Sequence, residues 1–507
     1  MRNIKFSLKV YTILFFILLF VILKLRKNDE NYGNIIKNIE LRGKLKKRNG
    51  INKKIFLLHE AYIFNDDPLF GDNTAVTLFS ADVNFPNHNE ILCYSNNGSF
   101  SKAKIELAAP LFVGESKCQW NVFRSQCHVE ENSSSFYLSR AKTHEKNFIE
   151  IHLKKPEKAV DIAVCYGHSF MLDEWQGLIT AIELYKFFGA SIQQFYWRSG
   201  RIEIYNLLKM YEKYGTVKVD LFGPVINDKL TEMLGFDVQY EVPTRSYIAS
   251  INDCFLKYRN AKFVFVIDAD ELYIPQHGRS MIDEFNYLSS LNPHANSFNF
   301  ERFDASSIAF QNPLSFDLKL TLSSLKISNN KRNLGKSVII PKKAKGTHQH
   351  FPSYYKSDTE TVFIPPNFNY IIHNTKITLL NDNESSNIDK DHDKRHTIFK
   401  WLSLTKLNEL NNLFNRQIKN THLFRNLNSN YSYKNILLKC KGELMEKLWL
   451  RDDVCIENYD YCSFKESLNL SCISAKANYN FYNLEDGLVM FKKVNTTETF
   501  SMRGCTY

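Results

Sequence analysis

Between Asp161 and Glu271, short runs rich in Val, Ile, Phe and Tyr alternate with segments whose apolar residues recur at helical spacing, and that alternation admits few folds. Ile162 to Cys165 reads as a short strand ending at Tyr166-Gly167-His168. The helix after it carries Trp175, Leu178, Ile179, Ile182 and Tyr185 at core spacing, with Asp173 and Glu174 placed to cap its start and Gly189 to close it. Ser191 to Trp197 is the next strand, Ile202 to Tyr214 the next helix with Gly215 as its stop, and Val217 to Phe222 a third strand. A helix from about Arg245 to Arg259 precedes the apolar strand that begins at Val264. Such a series needs crossover connections, hence an α/β fold on a mainly parallel sheet flanked by helices. In sheets of this kind ligands gather at the carboxyl ends of the strands, where Tyr166 to His168 and Asp268 to Glu271 both fall.

Outside this region the signals are coarser. Residues 55–157 show short β-type runs such as Ala75 to Phe79 and Phe148 to Leu153, broken by Asn, Asp, Pro and Ser, and predict a small β-rich domain. A catalytic-type α/β domain is expected over 158–420, with a helix near Met281 to Leu291, strands around Ser297 to Phe303, Ser337 to Ile340 and Tyr370 to Ile372, and a helix from about His396 to Ile418. Residues 421–507 form a Cys-containing extension that carries no readable motif.

The Val264 strand runs into Asp268-Ala269-Asp270-Glu271. On an extended chain, side chains at i and i+2 point the same way, so Asp268 and Asp270 are expected to share one hard divalent cation. A cation there can bridge a diphosphate and neutralise charge on a departing nucleotide. The competing reading is a strand end with solvated acids. A phosphatase of the haloacid-dehalogenase type wants Thr or Val at the fifth position, where Leu272 stands. A P-loop is excluded because Gly335-Lys336-Ser337 has Asn330 where the first glycine is needed.

Val10 to Leu23 is an apolar run flanked by Lys5 and Lys9 before it and Lys24, Arg26 and Lys27 after it. Its fourteen residues are short for a span, which usually takes about 20, yet no small-residue cleavage site follows. An uncleaved signal anchor over 10–23 is expected, with residues 1–9 cytosolic, a basic stem over 24–54 and the bulk of the chain lumenal. Residues 1–54 hold 14 Lys/Arg and 3 Asp/Glu, which is the whole net charge of +11, and the remainder balances 51 against 51. Nucleic-acid binding therefore has no electrostatic support. Ten cysteines without a C-x-x-C pair suit disulfides in a lumenal protein better than a metal cluster, although Cys165 and Cys254, in apolar strand and helix contexts, read as buried thiols. Six N-x-Ser/Thr sequons are compatible with a secretory route.

Several segments in fixed order resemble glycosyltransferase family 92, formerly domain of unknown function 23 and typified by nematode galactosyltransferases. They are Glu174-Trp175, Phe188-Gly189-Ala190, Tyr196, Leu208 with Tyr211-Glu212-Lys213-Tyr214-Gly215, Asn252-Asp253-Cys254, Val266 to Glu271, and Gly335-Lys336-Ser337. The resemblance runs from roughly Leu92 to Lys376. It implies a GT-A-type, Rossmann-like fold in a single-pass type II Golgi membrane enzyme. It also implies a UDP-sugar donor, a glycan acceptor, manganese and inversion at the anomeric carbon, with Asp268 and Asp270 as the metal and diphosphate site.

Two segments depart from the family pattern. His373-Asn374-Thr375 stands where the family has His-Tyr-Arg, so His373 can supply a third metal ligand while a phosphate-binding arginine is lost. Phe303-Asp304-Ala305-Ser306 replaces a Phe-Gly-Ser. An inverting transfer needs a base for the acceptor hydroxyl, and Asp304, Glu301 and Glu271 are the candidates, Glu271 having the alternative of orienting the metal ligands. His373 has the alternative of an ordinary buried histidine. Tyr166 and His168 are placed at the nucleotide base by analogy, and Glu174 with them. Arg245 is a candidate for the diphosphate, with a surface salt bridge as its ordinary role. His348 and His350 read as loop residues, and Trp175 as core. A glycan-binding relative that has lost turnover is the alternative to a working transferase, motivated by His373-Asn374-Thr375.

Overall fold

The computed structural model describes residues 54–88, 90–110, 118–140, 148–225, 227–242, 246–381, 402–448, 455, 470–484 and 487–505. Its centre is a mixed seven-stranded sheet in the order Val217–Leu221, Ile192–Trp197, Ile162–Ser169, Phe263–Val266, Lys336–Ile339, Ala295–Phe300, Glu360–Ile364. The first four strands are parallel, and Lys336–Ile339 runs against both its neighbours. The strands Ile162–Ser169 and Phe263–Val266 bury their apolar residues on both faces, which explains why they read as unbroken runs. From Ile162–Ser169 the chain first adds strands on one side and then returns to add Phe263–Val266 on the other. The carboxyl ends of these two neighbours thus form the topological switch point where α/β sheets bind ligands.

The helix expected after the first strand spans Gln176–Phe187, with Trp175, Leu178, Ile179, Ile182 and Tyr185 in the main core. Gly189 and Gly215 follow their helices with φ of 87° and 75°. The cap differs from expectation. Trp175 is the N-cap and makes no side-chain capping bond, its indole N–H donating instead to the Asn428 carbonyl at 2.7 Å, whereas Asp173 accepts from the backbone N–H groups of Ser432, Tyr433 and Lys434 at 2.5, 2.6 and 3.2 Å. Asp173 therefore serves the start of the distant Tyr433–Leu448 helix, a pairing that local spacing cannot reveal. The expected helix from Arg245 begins at Tyr247 and ends at Lys257. That from His396 is described as Leu404–Phe414, passing into a π-turn over Asn415–Lys419.

The β-rich N-terminal region does not close on itself. Ile55–Phe64, Thr74–Asp82, Trp120–His128 and Lys104–Leu107 belong to a second seven-stranded sheet, completed by Ser199–Arg201 and by the C-terminal hairpin of Cys472–Asn483 and Val489–Ser501. The hairpin joins through parallel pairing of Val489 to Lys492 with Ile55 to Leu58. A buried Arg259–Asp67 pair, with two bonds of 2.8 Å, ties this sheet to the helix behind the central one.

Disulfides join Cys93 to Cys127, Cys118 to Cys455 and Cys472 to Cys505. Cys165 and Cys254 are also bonded, correcting the buried-thiol expectation. The Tyr247–Lys257 helix packs against the first strand and brings their Cα atoms to 6.0 Å, within bridging range. Both sulfurs are buried, so the apolar sequence context was read correctly while the partner across the fold was not visible in it. Among the described residues no helix is long and apolar enough to cross a membrane, and Val10 to Leu23 lies outside the described residues.

Candidate functional site

Asp268 and Asp270 do not lie on an extended chain. The strand ends at Val266, and the chain then turns tightly, the Glu271 N–H donating to the Asp268 carbonyl at 3.1 Å. The alternation expected to aim both carboxylates one way therefore does not apply, and the two acids have different surroundings.

Asp268 is held from three sides. It accepts from the Tyr247 hydroxyl at 2.9 Å, from the Lys336 ammonium at 2.7 Å and from the Gln349 side-chain amide at 3.2 Å. Burial alone would raise its pKa, but the Lys336 charge and the Tyr247 hydroxyl outweigh it and hold the carboxyl well below the usual range. Gly167 makes the Tyr247 contact possible, because a Cβ there would sit 1.8 Å from the tyrosine ring. Glu271 lies beneath, fully buried, with Arg302 at 2.6 Å, Lys336 at 3.5 Å and the Asp268 backbone N–H at 2.9 Å. Burial dominates there and raises its pKa despite both cations.

A four-stranded sheet supplies the other half of the site, in the order Glu271–Leu272, Ile371–Leu380, Arg302–Phe310, Lys326–Lys331. Its register sets His373 opposite Glu271 on one side and Asp304 on the other. His373 Nε2 lies 3.4 Å from Asp270 Oδ2, and its Nδ1 lies 3.1 Å from Asp304 Oδ1. Burial would lower the His373 pKa, but Asp270 outweighs it and the net shift is upward. Arg332 also donates to Asp304, at 2.7 Å. The Asp270 side chain is 50% exposed and opens to solvent, unlike Asp268.

Among the described residues no three His, Cys, Asp or Glu side chains form a closed metal cluster. The donor set fits an open site instead: the half-exposed carboxylate of Asp270 and the facing imidazole nitrogen of His373 are donors that would suit a divalent cation completed by other ligands. Asp268, already saturated by three donors, fits the role of anchoring the turn.

The remaining expected residues disperse. Tyr166 is buried in the core, donating to Gln193 at 2.9 Å and stacked on Phe195, so it does not line the site. His168 stands at the strand end, stacked on Phe222 with ring centroids 5.3 Å apart and 5.9 Å from Tyr247, an aromatic wall at the switch point. Glu174 pairs with Lys434, on the same C-terminal segment that Asp173 caps. Glu301 pairs with Lys331 at 2.6 Å. Arg245 lies outside the described residues.

Lys336, Arg302, Tyr247 and Gln349 were not singled out as site residues from sequence. A lysine heading the apolar run Ser337-Val338-Ile339 was the available signal, since it enters the sheet with no exposed surface. His348 and His350 are loop residues as expected, yet part-buried and buried respectively and beside Lys336, which pushes their pKa values down to about 4 and about 3 after desolvation has done the larger part. A wider cleft of about 850 Å³ lies along the outer strand Val217–Leu221. Its lysines Lys154, Lys257 and Lys493 are committed to Glu60, Asp220 or Asp253.

At the switch point, then, a buried lysine fixes one acid of the turn and the second acid opens to solvent beside a histidine. The model of glycosyltransferase family 92 matches residues 160–422, more than half of the chain, and the chain belongs to that family. It is accordingly a glycosyltransferase, acting between a sugar donor and a glycan acceptor. Three family 92 proteins of Caenorhabditis elegans are similar to it. One is 24% identical over 76% of this chain and 76% of its own. A second is 25% identical over 63% and 64%, and a third 21% identical over 83% and 85%.

Proposed function

We propose that the chain transfers a sugar, galactose in the first instance, from a UDP-sugar to a glycan hydroxyl, with manganese or a similar cation and with inversion at the anomeric carbon, on a GT-A-type sheet. The observation that carries this reading is the open Asp270–His373 pair beside an Asp268 locked by buried Lys336. Asp270 and His373 are the residues that would hold the cation, which when bound neutralises charge on the departing diphosphate. Lys336 and Tyr247 keep the turn in place, and the His168, Phe222 and Tyr247 rings offer a surface for the uracil.

Asp304 is the base that this reading favours. Glu271 is buried with both oxygens engaged, and while Glu301 and Asp304 are each paired with a cation, Asp304 also lies 3.1 Å from His373 at the proposed cation site. The acceptor oxygen bonds to the anomeric carbon as the bond from that carbon to the phosphate oxygen breaks. UDP leaves with the electron pair, and the hydroxyl proton passes to Asp304. Arg332 holds the Asp304 carboxylate in place, at a distance of 2.7 Å. The apolar run over 10–23 and the presence of disulfides support a type II Golgi location.

A screen of UDP-sugars with analysis of product stereochemistry tests this. Transfer from UDP-galactose with inversion is expected. Transfer from another donor would replace the galactose assignment, and retention would remove Asp304 as base.

A further inference from the structure

Beyond the Asp268 turn, the same sheet edge carries an apolar groove of about 530 Å³, within the range of small-ligand sites. Its walls are the rings of Phe351, Tyr355 and Phe363, with Pro352 and the hydroxyls of Thr359 and Thr361. Phe363 is 68% exposed and Tyr355 52% exposed, while Phe351 and Phe363 meet edge to face with centroids 6.2 Å apart. A solvated aromatic pair of this kind is an unusual placement for side chains that bury so much area.

The position of the groove is set by the fold. Phe363 pairs with Asn299, and Asn299 with Ser337, so the three side chains share one face of the central sheet. On that face Asn299 and Ser337 both donate to the carbonyl of His350, at 2.9 and 2.7 Å. The loop after Thr347 is thereby pinned between two sites. Its Gln349 amide reaches Asp268, while His348 and Phe351 on either side of that amide line the groove. Phe363 lies three strands from the Phe263–Val266 strand, roughly 14 Å at the usual spacing, a distance that a di- or trisaccharide spans.

We infer that this groove binds the acceptor glycan, taking a neutral oligosaccharide whose pyranose C–H faces lie against Phe363 and Tyr355. The lining decides the chemistry. Exposed aromatic rings match the apolar faces of a pyranose, the Thr359 and Thr361 hydroxyls being engaged with Lys356 and Asn296, and one carboxylate, Glu360, is the acid in the wall. His348 is part-buried and desolvation lowers its pKa to about 4, so it adds no charge at neutral pH. The term acceptor rests on the proposed transfer, whereas glycan binding by the groove does not.

The test is binding of the lumenal protein to an array of neutral oligosaccharides, run with Phe363→Ala and Phe363→Trp, beside a separate titration with UDP and manganese. At its exposed position neither change should affect folding. Phe363→Ala is expected to weaken the bound glycans at least tenfold, Phe363→Trp to retain them, and neither to change UDP affinity. Absence of neutral-glycan binding, or binding equal in Phe363→Ala, overturns the groove assignment even if UDP binds. Glycan binding that depends on Phe363 without any UDP binding upholds the groove and sinks the transfer reading instead.

Discussion

The Lys336 ammonium is buried 2.7 Å from the Asp268 carboxylate and 3.5 Å from that of Glu271, so one lysine holds both acids at the base of the D-x-D turn. Asp270, two residues further on, is left to face solvent. This division of labour separates the acid that shapes the turn from the acid that is available to a ligand.

Removing the lysine should therefore cost stability before it costs chemistry. Lys336→Met leaves the part-buried Asp268 carboxylate without its cation and the buried Glu271 with Arg302 alone, and breaking a pair to a buried charge in this way costs up to about 3–5 kcal/mol. Urea unfolding should show a loss of that order, and a change under about 1 kcal/mol would mean that the acids find other partners.

Gly167 should tolerate no side chain. A Cβ placed 1.8 Å from the Tyr247 ring must push the ring off Asp268. Gly167→Ala is expected to reduce kcat/KM by at least ~10-fold, about 1.4 kcal/mol, with a lower melting temperature. Tyr247→Phe keeps the ring and loses one bond to a charged group, about 1.5–3 kcal/mol. Equal activity of Gly167→Ala and the unaltered protein would contradict the contact.

Two buried histidines and the part-buried His348 make the fold acid-sensitive. Burial lowers His59 from 6.5 to about 3, as it lowers His348 to about 4 and His350 to about 3. Their folded values lie below the unfolded one, so as pH falls below about 6.5 the unfolded chain takes up protons first and stability declines. Each contributes up to about 1.4 kcal/mol per pH unit, down to its folded pKa. His59 accepts or donates a 2.7 Å bond with Ser80 far from the catalytic turn, so His59→Gln should flatten the decline in melting temperature between pH 6.5 and 4.5. An unchanged slope would contradict its neutral burial.

The Cys165–Cys254 bond clamps the helix that carries Tyr247 onto the first strand. Replacing both with Ala is expected to cost about 2–5 kcal/mol and to loosen the Tyr247 contact, measured by thermal unfolding and by UDP affinity together. Unchanged values in both would show that packing alone fixes the helix.

What the sequence revealed follows from where the information lies. The Met281–Leu291 helix was read with its observed bounds because Ser280 and Asp283 form a local capping box and the apolar spacing lies within the segment. The central strands were legible because burial on both faces leaves apolar runs. The neighbours of His373 were not. Its pairing with Asp304 depends on parallel register between segments 69 residues apart, which no local pattern encodes. The C-terminal hairpin was missed for a related reason: its outer face is rich in Lys, Asn and Thr, and its pairing partner lies at the other end of the chain. Lys336 hid within a strand-like run, where a charge reads as a strand start rather than as a buried cation.

The role of Asp270 is tested most directly by titrating UDP into the purified protein with and without manganese, for the unaltered chain and for Asp270→Asn. Half-exposed Asp270 should not matter to folding, so the variant is expected to melt as the unaltered protein does. Manganese should strengthen UDP binding by at least ~10-fold in the unaltered protein and leave it unchanged in the variant. Equal UDP affinity with and without manganese, or manganese-dependent binding that survives Asp270→Asn, would contradict a cation and diphosphate site at Asp270 and His373.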